Sequence, residues 1–85
     1  MKIENALSLI LSELDRAEKL HPVWPTNLIH AGMIVSEENG ELAQAILNHH
    51  ERKGTREQII IEAVHTAAMA LRFLKNFEDK ELSGE

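Results

Sequence analysis

Cysteine is absent from this 85-residue chain, which excludes disulfides and thiolate metal sites. Tyrosine is absent too, and aromatic residues reach only 4% in a composition that is 44% apolar and 27% charged. No run approaches the roughly 18–20 apolar residues that span a bilayer. The opening Met1-Lys2-Ile3-Glu4-Asn5 is too acidic and polar for a signal peptide, so the expectation is a cytoplasmic protein with no membrane partner. Basic residues are scarce: nine Lys and Arg against fourteen Asp and Glu leave a formal net charge of −5. That balance repels polyanions and argues against a nucleic-acid polymer as partner. There is no Gly-rich phosphate loop, and no serine sits in the context of a nucleophile elbow.

The few helix breakers fall at His21-Pro22-Val23-Trp24-Pro25, at Lys53-Gly54 and in the polar tail that ends Ser83-Gly84-Glu85. Before the first break, Ile3, Ala6, Leu7, Ile10, Leu14 and Ala17 recur at helical spacing, with Glu13, Asp15, Arg16 and Glu18 expected to turn outward. The spacing predicts a first helix from Lys2 to about Lys19. Pro25-Thr26-Asn27 supplies a cap for a second helix running to about His50, although Gly32 and Gly40 each lower its propensity by about 1 kcal/mol relative to alanine. Thr55-Arg56-Glu57-Gln58 matches a capping box, in which the Gln58 side chain reaches back to the cap, and opens a third helix from about Arg56 to Phe77. Ile59-Ile60-Ile61 is β-branched, but the alanine-rich continuation favours helix, and no convincing strand pattern appears elsewhere.

The expected class is therefore all-α, with residues 1–78 forming one domain and 79–85 a flexible tail. The third helix is apolar around nearly its whole circumference, more than one short chain can cover. A chain this small buries only about 60–65% of the surface it exposes when unfolded. Both observations predict a three-helix chain that completes a four-helix-bundle core by oligomerisation, as a homodimer or homotetramer.

Carboxylates on the second and third helices break this apolar pattern. Ala31, Ile34, Val35, Leu42, Ala45 and Ile46 define a stripe on the second helix, and Glu38 falls in its middle, with Glu37 beside it and Glu41 one turn on. On the third helix Glu62 sits among Ile59, Thr66, Met69 and Phe73, with His65 one turn away. A buried carboxylate needs a neutralising cation. If the two helices are antiparallel neighbours, Glu38 and Glu41 can meet Glu62 and His65 around one hard, oxygen-seeking ion such as Mg²⁺ or Mn²⁺, of the kind that usually arrives with phosphates. The same residues also suit a solvated helix face, with Glu37 and Glu41 paired to Arg52 or Lys53 and Glu38 met by a partner chain's arginine.

Glu37-Glu38-x-x-Glu41, followed twenty residues later by Glu62-x-x-His65, resembles the EExxE…ExxD pattern of the MazG-like all-α nucleoside triphosphate pyrophosphohydrolases. The resemblance spans about Pro22 to Phe77. It implies a Mg²⁺-dependent helical core, built from two or more chains, that cleaves a (deoxy)nucleoside triphosphate to its monophosphate and pyrophosphate. It also implies that Glu38, Glu41 and Glu62 hold the metal and that Glu37 assists with metal or water. His65 stands where the family has an acidic residue. Imidazole is a poorer Mg²⁺ ligand, so His65 either joins the metal site, favouring Mn²⁺, positions water, marks lost activity, or is an ordinary core histidine. Lost activity would leave a non-catalytic helical oligomerisation or regulatory module with a degenerate site. The general base, if Glu37 or Glu41, is not assigned by spacing.

Four further residues suit nucleotide binding as well as simpler roles. Trp24, on the rigid connector, is placed either to stack on a base or to plug the end of the bundle. Asn27 and His30 suit hydrogen bonds to a base or sugar, or capping and surface roles. Arg72, the only Lys or Arg within the apolar run of the third helix, needs a phosphate, a carboxylate such as one on the first helix, or water.

Overall fold

A computed structural model describes residues 1–77, so the expected tail at 79–85 lies outside the described residues. Within them the chain forms three helices, α1 (Ile3–Leu20), α2 (Leu28–His50) and α3 (Arg56–Phe77), and no strand. The all-α expectation is met, and each helix lies within a residue or two of its predicted span. None is long and apolar enough to cross a membrane.

Local chemistry accounts for the boundaries. The Asn27 side chain accepts from the His30 N–H at 3.0 Å and starts α2. At the far end Arg52 adopts the left-handed region with φ 63°, while Arg52 N–H reaches His49 O at 3.0 Å and Lys53 N–H reaches Asn48 O at 2.7 Å. That is a Schellman closure with arginine where glycine is usual. Gly54 follows, and a Cβ there would meet Asn48 Cβ at 3.1 Å, so the turn folds tightly under the end of α2. Thr55 Oγ1 then caps α3 by accepting from Gln58 N–H at 3.2 Å. The expected reciprocal half of the capping box is not formed. The Gln58 side chain instead points down the helix, where its amide N–H donates to Glu62 Oε2 at 3.2 Å in a charge-assisted hydrogen bond.

The chain runs up, down and up, with α3 as the shared wall. Both α1 and α2 pack on α3, and their backbones do not approach each other. Residues of α1 meet residues of α3 in the same order along both helices, with Glu13 near His65 and Glu18 near Lys75, so these two helices are parallel. The core is built around Ala17, Trp24, Ala31, Ala68 and Met69, flanked by Ile10, Leu14, Ile34, Val35 and Phe73. Three of these five buried residues are alanines, whose small side chains allow packed helices to approach closely. This core is small: no large side chain is fully buried among the described residues, and the Cα radius of gyration is 14.3 Å. A compact chain of this length would have about 12 Å.

Glu13 departs from its expected outward orientation. It is one turn from Ile10 and one from Ala17, hence on the inward stripe, and its side chain is only 14% exposed.

Candidate metal centre

Glu38 comes from the middle of α2, whereas Glu62 and His65 are one turn apart on α3. The tight α2–α3 turn brings them together. One donor atom from each lies within 4.8 Å of the others. His65 Nδ1 stands 3.3 Å from Glu62 Oε1 and 3.9 Å from Glu38 Oε2. Those two oxygens are buried, and neither has a hydrogen-bond partner among the described residues. Orphaned carboxylate oxygens of this kind are costly unless a cation or water completes them. On the other side of the ring, His65 Nε2 faces Glu13 Oε2 at 3.6 Å.

The residues fit a divalent cation in donor chemistry and in spacing. Ligand atoms on a cation with bonds of about 2.1 Å stand about 3 Å apart when adjacent and about 4.2 Å apart when opposite. The observed 3.3 and 3.9 Å fall in that interval, and the remaining pair, within 4.8 Å, needs to close by at most about 0.6 Å. Two oxygens and one imidazole nitrogen suit Mn²⁺ better than Mg²⁺, which prefers oxygen throughout.

The electrostatics of the carboxylates differ. Burial pushes the Glu38 carboxyl above its ordinary range, and the charges of Glu41 and Glu62 push in the same direction against a smaller opposing effect of His65. Glu13 is held below the ordinary range, chiefly by hydrogen bonds from Arg16. Both oxygens of Glu13 are used in that pairing, at 2.8 and 2.7 Å.

The other expected site residues lie outside this cluster. Glu41 is exposed, near enough to Glu38 to act on its charge, but it is not one of the three converging groups, and Glu37 is exposed. Arg72 is seven residues beyond His65 on α3, about 10 Å along the axis. It is 4% exposed, stacks with its guanidinium 5.0 Å from the Trp24 ring, donates to His21 O and lies 3.9 Å from Glu18 Oε2. The bond to the first helix is thus the role the structure gives it. Trp24 is buried in the core, and Asn27 spends its side chain on the cap of α2. Trp24 and Asn27 do share a shallow surface hollow with His30, whose side chain is free of hydrogen bonds among the described residues.

Glu13, which faces the far side of the His65 ring, is a neighbour of the cluster that the sequence does not single out. Its signal was present, since positions 10, 13, 14 and 17 follow the spacing of one helix face, but a charged residue there reads naturally as solvated. Comparison of the chain with protein-family models, curated proteins and solved structures finds no match.

Proposed function

We propose that this chain is a divalent-cation-dependent hydrolase of nucleoside triphosphates, releasing pyrophosphate and leaving the monophosphate, and that it works as a homo-oligomer. The observation that carries the proposal is the convergence of Glu38, Glu62 and His65 from two helices, with two buried carboxylate oxygens left unpartnered. The spacing of Glu37, Glu38 and Glu41 ahead of Glu62, with its MazG-like resemblance, supplies the substrate class. Glu38, Glu62 and His65 would hold the cation, Mn²⁺ in preference to Mg²⁺. A bound divalent cation supplies charge neutralisation for phosphate oxygens and lowers the pKa of water. Glu41, exposed and near enough to Glu38 to act on its charge, would accept a proton or orient water, with Glu37 in support. The hollow beside Trp24, Asn27 and His30 is a candidate seat for the base, with the Trp24 ring held by its contact with the Arg72 guanidinium.

Oligomerisation is supported by the open side of α3. Ile60, Ala63, Ala67, Ala70 and Leu74 follow a three-four spacing; Ile60, Ala63 and Leu74 are exposed, and Ala67 and Ala70 are partly covered. That is the pattern of a helix seam that takes a further helix. A second copy, as a homodimer or within a homotetramer, would complete a four-helix core.

One observation favours a non-catalytic module instead: His65 lies between three carboxylates, so a protonated ring would offset one of their charges, as Arg16 offsets another, without any metal. A panel of nucleoside triphosphates, assayed for pyrophosphate release with Mg²⁺ and with Mn²⁺, tests the proposal. Release that requires cation and is lost in Glu62→Gln supports hydrolysis. No release together with no effect of either cation on thermal stability supports the module.

A further inference from the structure

We infer that Glu13 is the outer carboxylate that orients the His65 ring for cation binding, which makes α1 part of the centre; this rests on Glu38, Glu62 and His65 being the ligands. The two ring nitrogens have different neighbours. Nδ1 faces Glu62 and Glu38 at 3.3 and 3.9 Å, whereas Nε2 faces Glu13 at 3.6 Å. A neutral imidazole offers a lone pair on one nitrogen and carries its proton on the other. A cation shared with the two glutamates takes Nδ1, so the proton remains on Nε2, the nitrogen that Glu13 faces. Metal-bound histidines generally give their second N–H to a carboxylate or carbonyl, which holds the ring and makes the coordinating nitrogen a better donor. A shortening of about 0.6 Å converts the present contact into that hydrogen bond.

Glu13 is itself held in place. Arg16, one turn on, grips both of its oxygens in a two-pronged pair, and the planar guanidinium fixes the carboxylate plane as a lysine would not. The charges also divide cleanly. Glu38 and Glu62 balance a divalent cation, and Glu13 is balanced by Arg16. Glu13 therefore contributes orientation to the centre without adding net charge, which separates it from a fourth ligand. The order is Arg16, Glu13, His65, cation, running from the α1 surface to the α2–α3 interface.

The test is titration calorimetry of the full chain with Mn²⁺, with helix content followed by circular dichroism. The variants are Glu13→Ala, Glu13→Gln, His65→Ala, Glu62→Gln, and the two Glu13 changes combined with His65→Ala. Glu13→Ala is expected to weaken Mn²⁺ binding about ten- to a hundred-fold. Glu13→Gln should weaken it less, because the amide oxygen still accepts from the ring. In the His65→Ala background neither Glu13 change should matter, since Glu13 acts only through the ring. Equal weakening with and without His65 would overturn the inference, as Glu13 would then act on the cation directly. Unaltered binding in both Glu13 variants, with binding abolished by Glu62→Gln, would overturn it while leaving the metal site standing. A parent chain that binds no Mn²⁺ would remove both. Should Glu13→Ala lose helix content, the Glu13→Gln measurements complete the same cycle.

Discussion

Glu38 is a carboxylate whose charge the fold penalises. Its pKa lies above the ordinary value, so the native state holds the proton more tightly than the unfolded state does. Its contribution is therefore most favourable below the ordinary carboxylate range and declines as the pH rises through the folded value. Without metal, Glu38→Gln should raise the melting temperature at neutral pH and flatten that decline. With Mn²⁺ the order should reverse, because only the parent gains from the cation; melting curves with and without the ion check both signs. Arg72 makes the contrasting case. Buried, stacked on Trp24 and bonded to His21 O, it serves the core, so Arg72→Ala should cost about 3 kcal/mol in denaturant unfolding followed by Trp24 fluorescence. Unchanged stability would return Arg72 to a phosphate-binding role. Glu38, Glu62 and His65 were legible in the sequence as polar residues on apolar faces. Glu41 carried the same spacing but stays exposed, since the curvature of one helix turn decides which carboxylate faces inward.

The helices themselves follow local rules closely. Asn27 and Thr55 cap as their residue types predict, and the break at Lys53-Gly54 is where the chain turns. Arg52 is the exception, holding a left-handed conformation that disfavours any residue with a Cβ. Arg52→Gly should therefore stabilise the chain by roughly 0.5–1 kcal/mol, part of the relief being offset by the greater freedom of glycine when unfolded. Chemical denaturation of that variant measures the gain. At Gly40, in the exposed middle of α2, an added Cβ meets nothing within 4 Å. Gly40→Ala should gain up to about 1 kcal/mol from helix propensity alone. If Gly40→Ala instead disrupts the protein, a partner helix occupies that face.

Three helices of this length leave much apolar surface uncovered. Ile60, Ile61, Leu71 and Leu74 on α3 remain 37–59% exposed, as do Leu7 and Leu11 on α1 and Leu47 on α2. A second copy seated on the α3 seam would bury Ile60 and Leu74. Ala63→Glu is an exposed change that an isolated chain should tolerate within about 0.5 kcal/mol. In an assembly it places a charge in the seam, so sedimentation should show dissociation with helix content falling only as far as the monomer is unstable. A parent chain that sediments as a stable folded monomer at micromolar concentration would exclude a subunit seam on α3.

Composition and periodicity determined what depends on neighbours along the chain: the all-α class, the three helices, their caps, and the presence of carboxylates where apolar residues belong. Those features follow from spacing within one or two helical turns, which any sequence displays directly. Tertiary structure decided which charged side chains converge. Glu13 is separated from His65 by fifty-two positions and joins it only because α1 runs parallel to α3. The same packing turned Arg72 toward Trp24 and Glu18, and left Glu41 outside the cluster. Helix azimuth and order are set by how three apolar stripes interlock, and that is a property of the packed chain, not of any one segment.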